Sequence, residues 1–255
     1  MKIIDQQKLE SYISTSVVDT FNKKRLSRLR ELDILRVLKN KNPYLFKAKS
    51  LNTPEEIVKS ILEAYLSSQE ETFFGDIMEG LAVYVCQEVF GGIKLGKDTN
   101  GNPDIIFLRE GITYFVEVKS GPKWGNSSQL AKLKITFKRL RQELIERGED
   151  VSKYEMVNGC IYGKENNYQR SDSDRQKHYL KICGQAFWEL ISGSPTFYTD
   201  IVLPLSKETS KKDETYKQEF DSAIIRSARI FSEHFLSEDR VNWEKLISYI
   251  SKNID

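Results

Sequence analysis

The sequence predicts an α/β protein with a central mixed β-sheet flanked by helices and with helical additions at both ends. Two apolar runs rich in β-branched and aromatic residues, Ile105–Leu108 and Ile112–Val118, are separated only by Arg109-Glu110-Gly111. That spacing is typical of a tight β-hairpin. Away from the hairpin, apolar residues recur every three or four positions, as on the buried face of a helix. Tyr154–Tyr162 reads as a further buried strand.

The segments before the hairpin are expected to be mainly helical. Residues 1–40 show helical apolar spacing, and Thr53-Pro54-Glu55-Glu56 is a helix start that combines a capping threonine with a glutamate at the third position. A second helix is expected over residues 70–90, ended by Gly91-Gly92. Residues 93–95 are then expected to form the first strand of the sheet.

After the hairpin, a long helix should begin at Asn126, Ser127 or Ser128 and end near Arg147. The polar stretch 163–178 is expected to be a loop. The expected elements beyond it are a helix over 180–192, a strand over 197–205, and two C-terminal helices with Ser237 as a cap between them.

Composition bounds the class of protein. The chain has 255 residues, a net charge of only +2 and three widely spaced cysteines without a C-x-x-C motif. Any nucleic acid must therefore meet local basic patches, and a cysteine-based zinc site is excluded. We expect a cytoplasmic protein without a membrane segment. The expected segments are an N-terminal helical part (1–42), a core (43–205) and a C-terminal helical part that packs with the core (206–255).

The hairpin carries the strongest chemical pattern. If Glu110 and Gly111 are the turn residues, counting outwards places Asp104 opposite Glu117, on the same face and roughly 5 Å apart at Cβ. Strand alternation puts Lys119 on that face too. Two adjacent carboxylates favour a hard ion such as Mg²⁺, and a neighbouring lysine can orient water, which together suit phosphodiester hydrolysis. A solvated hairpin with surface charges is the alternative.

A second pattern resembles a nucleotide-binding motif but does not meet its structural requirements. Residues 91–97 fit the G-x-x-x-x-G-K spacing of a phosphate loop. However, such a loop needs a preceding strand, a following helix and a hydroxyl residue after the lysine, whereas Asp98 stands there and a turn-forming stretch follows. We therefore expect no nucleotide cofactor.

Pro103-Asp104 with Glu117-Val118-Lys119 resembles the PD-(D/E)xK nuclease signature. Two further segments resemble type II restriction endonucleases of the EcoO type, and the similarity covers residues 43–205. The segments are Ser120-Gly-Pro-Lys-Trp-Gly-Asn-Ser127 and Cys183-Gly-Gln-Ala-Phe-Trp-Glu-Leu-Ile-Ser-Gly193. The resemblance implies a restriction-endonuclease-like fold, a homodimer and Mg²⁺-dependent cleavage of double-stranded DNA to 5′-phosphate and 3′-hydroxyl ends.

The resemblance also implies roles for single residues. Asp104 and Glu117 would hold Mg²⁺, with two ions possible per site and the Val118 carbonyl as a further ligand. Lys119 would position the attacking water, and Glu79 on the preceding helix would face the metal centre, unless it is an ordinary solvated acid. A repair or recombination nuclease of the same chemistry, and a non-catalytic DNA-binding module, remain alternatives.

Several polar residues are candidates for DNA contact. A rigid loop beside the acids, the helix after it and the polar stretch 163–178 together supply Lys123, Trp124, Asn126, Lys134, Lys138, Arg170 and Arg175. Plain solvated surfaces would look the same. The N-terminal run Lys23-Lys24-Arg25 favours a solvated helix face, with phosphate contact as the alternative.

Overall fold

The computed structural model describes residues 2–95, 101–170, 177–207 and 209–252, and the side chains of residues 170, 177 and 209–212 are not described. The chain divides into two compact units, each with most of its contacts inside itself. The first combines Met1–Val18 with Gly75–Lys207, and the second combines Asp19–Phe74 with Glu208–Asp255. These boundaries differ from the three expected segments, because one long helix supplies residues to both units.

The first unit contains a five-stranded mixed sheet, which confirms the predicted α/β class. The strands are β1 (Ile105–Arg109), β2 (Ile112–Lys119), β3 (Tyr154–Cys160), β4 (Asn166–Arg170) and β5 (Lys177–Cys183). Their order in the sheet is β1-β2-β3-β5-β4, with antiparallel β1/β2 and β4/β5 pairs and parallel β2/β3 and β3/β5 pairs.

The helices of the described chain follow from the apolar spacing and from their caps. They are α1 (Gln6–Tyr12), α2 (Asp19–Arg30), α3 (Ile34–Leu38), α4 (Pro43–Ala48), α5 (Pro54–Phe90), α6 (Ser127–Glu146), α7 (Gln185–Ser192), α8 (Phe197–Asp200), α9 (Val202–Ser206), α10 (Thr209–Phe235) and α11 (Trp243–Ser251). A π-helical segment (Ile13–Val18), a 3₁₀ turn (Val151–Lys153) and a short hairpin of β6 (Leu236–Ser237) and β7 (Arg240–Val241) complete the set. No helix within the described ranges is long and apolar enough to cross a membrane.

The predicted β1–β2 hairpin is confirmed together with its register. Arg109 pairs with Ile112, and the turn residues Glu110 and Gly111 have φ values of 52° and 80°. Positive φ at both central residues defines a type I′ turn, whose twist matches that of the flanking strands. The register of the whole hairpin follows from this two-residue turn.

The sheet of the first unit is covered on both faces. On one face, α6 buries an apolar stripe against the sheet, made of Leu133, Phe137, Leu140 and Leu144 with Met156 and Tyr179. On the other face, the Phe187 ring of α7 lies over Gly159, where an added Cβ would come within 2.3 Å of the ring. The Phe90 ring of α5 packs against Phe107 of β1 on that face, with ring centroids 5.4 Å apart.

The second unit is helical and has its own core. Arg25, from the basic run of α2, is paired with Glu70 at 2.8 Å and lies over the Tyr216 ring at 3.5 Å. The solvated-face interpretation is therefore wrong for Arg25, which is held inside this unit. The buried residues of the core are Leu29, Ile34, Val37, Leu38, Phe46, Ile57, Val58, Ile61, Leu62, Leu66, Ala223, Ala228, Phe231, Phe235, Val241 and Leu246.

Two expectations before the hairpin are corrected. Residues 54–90 form one helix rather than two, because the polar stretch at 67–70 contains neither glycine nor proline to stop it. The capping box at its start is confirmed, since the Glu56 amide donates to the Thr53 hydroxyl and the Thr53 amide to the Glu56 carboxylate, both at 3.2 Å. Residues 93–95 make only a single bridge, between Ile93 and Ile106.

The polar stretch 163–178 and the segment after it are also reassigned. Residues 166–170 and 177–178 of the stretch belong to an antiparallel β4–β5 pair rather than to a loop. Residues 180–183 therefore continue a strand, and the helix begins only at Gln185. The switch occurs at Gly184, whose φ is 57° and where a Cβ would lie 2.5 Å from the Gly163 carbonyl oxygen.

Two further assignments near the C-terminus were wrong. Residues 197–205 form two short helices, because the buried residues Phe197, Ile201 and Pro204 recur at helical rather than strand spacing. Ser237 lies in β6, and Asn242 caps the final helix instead, accepting a hydrogen bond from the Lys245 amide at 2.9 Å.

Candidate active site

The open end of the hairpin brings two carboxylates side by side. The pairing of Ile105 with Val116 is the last in the ladder, and continuing it by one residue places Asp104 opposite Glu117 on the same face. The Asp104 carboxylate accepts a hydrogen bond from the Val118 amide at 2.8 Å, which fixes its position against β2. The geometry expected from the turn is therefore present.

Lys119 completes the group on the same face of β2. Its ammonium nitrogen lies 2.7 Å from a Glu117 carboxylate oxygen, and each side chain is less than one quarter exposed. The same ammonium lies 5.1 Å from the centre of the Trp124 ring, in the loop that follows the strand. Lys119 is thus held between a carboxylate and an aromatic face, which limits its conformational freedom.

Burial and like charge disfavour the ionised form of Asp104. Its pKa is raised to about 7, first by burial and then by the nearby carboxylates of Glu117 and Glu79. Lys119 and the amide of Val118 oppose this rise but do not cancel it. Asp104 is thus a buried acid beside two further carboxylates, an arrangement typical of a place that receives a positive ligand.

A cavity of about 440 Å³ opens over these groups. Asp104, Glu117 and Lys119 line it together with Glu79 of α5. Glu79 is itself paired with Lys94, whose ammonium nitrogen lies 2.9 Å from it. Across the described part of the chain, no three acidic, histidine or cysteine side chains form a group that could hold one ion.

Comparison with protein-family models gives one match that covers most of the chain. The model of the type II restriction endonuclease EcoO109I matches residues 7–213. The chain belongs to this family. The matched range extends beyond residues 43–205, and it includes the carboxylate pair and Lys119. Comparison with curated proteins gave no match. As a member of a restriction endonuclease family, the protein is a nuclease that binds DNA.

The DNA-contact candidates differ in whether they line the cavity that holds the acids. Trp124 lines the cavity with the acids. Asn126 is engaged in a capping box at the start of α6, in which its side chain accepts from the Gln129 amide at 3.1 Å. The remaining described candidates, Lys123, Lys134 and Lys138, do not line the cavity. Arg170 is described only by its backbone in β4, and Arg175 lies outside the described residues.

Sequence reasoning does not single out two residues next to the acids, one beside Glu117 in the sheet and one in the lining of the cavity. Asn158 of β3 pairs in register with Glu117, is fully buried, and has an amide nitrogen without a hydrogen-bond partner among the described residues. Lys132 of α6 lines the cavity beside the acids. The signal for Asn158 is a lone amide within the buried strand 154–160. The sequence does not distinguish Lys132, since it is one of five basic residues on this helix.

Lys181 holds the loop 121–125, whose Trp124 lines the cavity. Its ammonium nitrogen lies 2.5 Å from Glu165 and donates to the Pro122 carbonyl at 2.7 Å. Lys181 pairs in register with Asn158, two strands away from Glu117. The loop that carries Trp124 is therefore tied to the same row of the sheet as the acids.

Proposed function

We propose that this protein is a Mg²⁺-dependent type II restriction endonuclease that cuts double-stranded DNA at a specific sequence. The observation that carries the proposal is the carboxylate pair Asp104 and Glu117, set side by side at the end of the hairpin with Lys119 in contact. This arrangement lies inside the range that matches the restriction endonuclease family. It supplies the groups that metal-assisted phosphodiester hydrolysis needs.

The residues present fit a divalent metal ion. Two carboxylates and a backbone carbonyl, that of Val118, are oxygen donors, which Mg²⁺ prefers over nitrogen and sulfur. Burial, and then the neighbouring carboxylates of Glu117 and Glu79, raise the pKa of Asp104, and a bound cation would favour its ionised form. Because Mg²⁺ retains several waters, two protein carboxylates suffice for one ion. A second ion near Glu79 would be held through water.

Each residue of the site has a separate task in the proposed reaction. A bound ion would supply Lewis-acid activation of the phosphodiester and of the attacking water. Lys119 would donate a hydrogen bond to that water and so orient it. Its ammonium is held beside the metal-binding acids by Glu117 and the Trp124 ring. The water oxygen forms a bond to phosphorus, the bond from phosphorus to the 3′ oxygen breaks, and a proton passes to the departing oxygen. The products are 5′-phosphate and 3′-hydroxyl ends.

A homodimer accounts for cutting both strands. Two-fold symmetry in the protein matches a palindromic site, so that each protomer presents one cleft to one strand. The chain contains the complete carboxylate pair and lysine, so each protomer would carry its own active site. The partner in this proposal is double-stranded DNA, and no nucleotide cofactor takes part.

The proposal is tested with purified protein, supercoiled plasmid DNA of known sequence and Mg²⁺, with EDTA as the control. Discrete fragments whose mapped ends carry 5′-phosphate support a restriction enzyme. A smear would instead support a repair or recombination nuclease of the same chemistry. Intact plasmid, in preparations that bind DNA, would support a non-catalytic DNA-binding module and contradict the proposal.

A further inference from the structure

Lys132 lies on the part of the cavity wall that α6 forms. We infer that it binds the phosphodiester that enters the active site and stabilises the negative charge that develops on the phosphate during cleavage. This inference rests on the proposed function. It concerns a residue outside the carboxylate pair and Lys119, on a different element of the fold. Lys132 lies in the second turn of α6, whereas the acids lie on β1 and β2 and the cavity is bounded by both.

The ammonium groups nearest the acids are already engaged. Lys119 is paired with Glu117 at 2.7 Å, and Lys94 is paired with Glu79 at 2.9 Å. Lys132 is exposed, and within the described chain it makes no ion pair or hydrogen bond. Its positive charge is therefore available to a ligand. A phosphodiester is the ligand to expect in a cavity lined by these acids.

The packing of α6 fixes the backbone of Lys132 at the edge of the cavity. Its neighbour Leu133 and the following turn's Phe137 are buried against the sheet. Arg139 of the same helix donates to the Gly101 carbonyl at 2.6 Å, which ties the helix to the segment leading into Asp104. A cation carried on a packed helix stays within reach of the cavity, where it can meet the negative charge that develops on phosphate oxygens.

Gln129 adds a neutral donor on the same wall. It lies three residues before Lys132, and residues at this spacing are neighbours on a helix surface. Its side-chain oxygen accepts from the Asn126 amide at 2.9 Å, so the capping box holds the side chain. The amide NH₂ of Gln129 and the ammonium of Lys132 both belong to residues lining the cavity. Together they provide two donors for the oxygens of one phosphate.

The test compares Lys132→Ala and Lys132→Arg with Lys153→Ala, an exposed lysine beside the start of β3, at the opposite end of the sheet from Lys119. The first measurement is single-turnover cleavage of plasmid DNA in Mg²⁺ at saturating enzyme. We expect Lys132→Ala to be slower by about 10- to 100-fold. Lys132→Arg should recover most of the rate, and Lys153→Ala should cleave like the wild type. A wild-type rate for Lys132→Ala at saturation would overturn the inference.

The second measurement keeps the inference testable without cleavage. Binding of a fluorescent 30-base-pair duplex is titrated with salt in Ca²⁺, and Lys132→Ala should lower the salt slope by about one unit. Lys153→Ala should leave that slope unchanged. If the wild type does not cleave DNA, the proposed function fails, while the slope still reports on Lys132. An unchanged slope for Lys132→Ala contradicts phosphate binding by this residue, whatever the activity of the wild type.

Discussion

Replacing Asp104 by asparagine should stabilise the metal-free protein while it abolishes cleavage. The pKa of Asp104 is about 7 instead of 3.8, mainly because of burial and then because of Glu117 and Glu79. At about 1.4 kcal/mol for each pH unit, ionising this carboxylate costs the folded state up to roughly 4 kcal/mol. Asp104 is only partly buried and water can relax the charge, so we expect a gain of about 1–3 kcal/mol from Asp104→Asn at pH 8.

The pH dependence gives this prediction its sign. Because the folded-state pKa is raised, the wild type is most stable when Asp104 is protonated and loses that stability as the pH rises from about 4 through about 7. The asparagine variant does not ionise and so keeps its stability as the pH rises. Its amide oxygen can still accept the hydrogen bond from the Val118 amide. The difference between the two proteins should therefore vanish below pH 4 and be full above pH 7.

The measurement is thermal unfolding in EDTA between pH 4 and pH 9. A gain of about 2 kcal/mol corresponds to roughly 4–8 °C in Tm for a unit of this size. Adding Mg²⁺ at pH 8 should raise the Tm of the wild type and leave that of the variant nearly unchanged, because only the wild type holds the ion. A variant that is less stable than the wild type at pH 8, or equally more stable at every pH, would refute the reasoning.

Three further predictions concern four single substitutions. Glu79→Ala should slow cleavage less than loss of either hairpin acid, because Glu79 would reach an ion only through water; a wild-type rate at limiting Mg²⁺ would make it an ordinary helix acid. Gly159→Ala should destabilise the protein by about 1–3 kcal/mol, since the added Cβ lies 2.3 Å from the Phe187 ring; unchanged urea unfolding would contradict this packing. Lys134→Ala should weaken binding to cognate and random duplexes alike in Ca²⁺, whereas Arg170→Ala should cost roughly 1–3 kcal/mol on the cognate duplex alone; equal losses on both duplexes would exclude base reading by Arg170.

The hairpin and its acids were predictable because their geometry is local. A two-residue turn fixes the register, and the register alone sets Asp104 opposite Glu117. The capping box at Thr53 is equally local. Each of these features depends on residues close together in the chain, whose chemistry allows few alternatives.

Features that depend on long-range packing were not predictable. The parallel pairing that sets Asn158 beside Glu117 joins strands about forty residues apart. Which basic residues of α6 face the acids depends on how the helix is rotated on the sheet, so Lys132 could not be separated from Lys134. Short apolar segments such as 197–205 satisfy strand and helix spacing alike, and only the buried positions decide between them.

The central claim is that Asp104 and Glu117 together form a metal-dependent active site for DNA cleavage. Single-turnover digestion of a supercoiled plasmid by Glu117→Gln tests it most directly, with Glu146→Gln, an exposed acid at the end of α6, as the matched control. We expect discrete fragments from the wild type and from the control in Mg²⁺, and none from Glu117→Gln, which should still bind DNA in Ca²⁺. Cleavage by Glu117→Gln at the wild-type rate would contradict the assignment of this site.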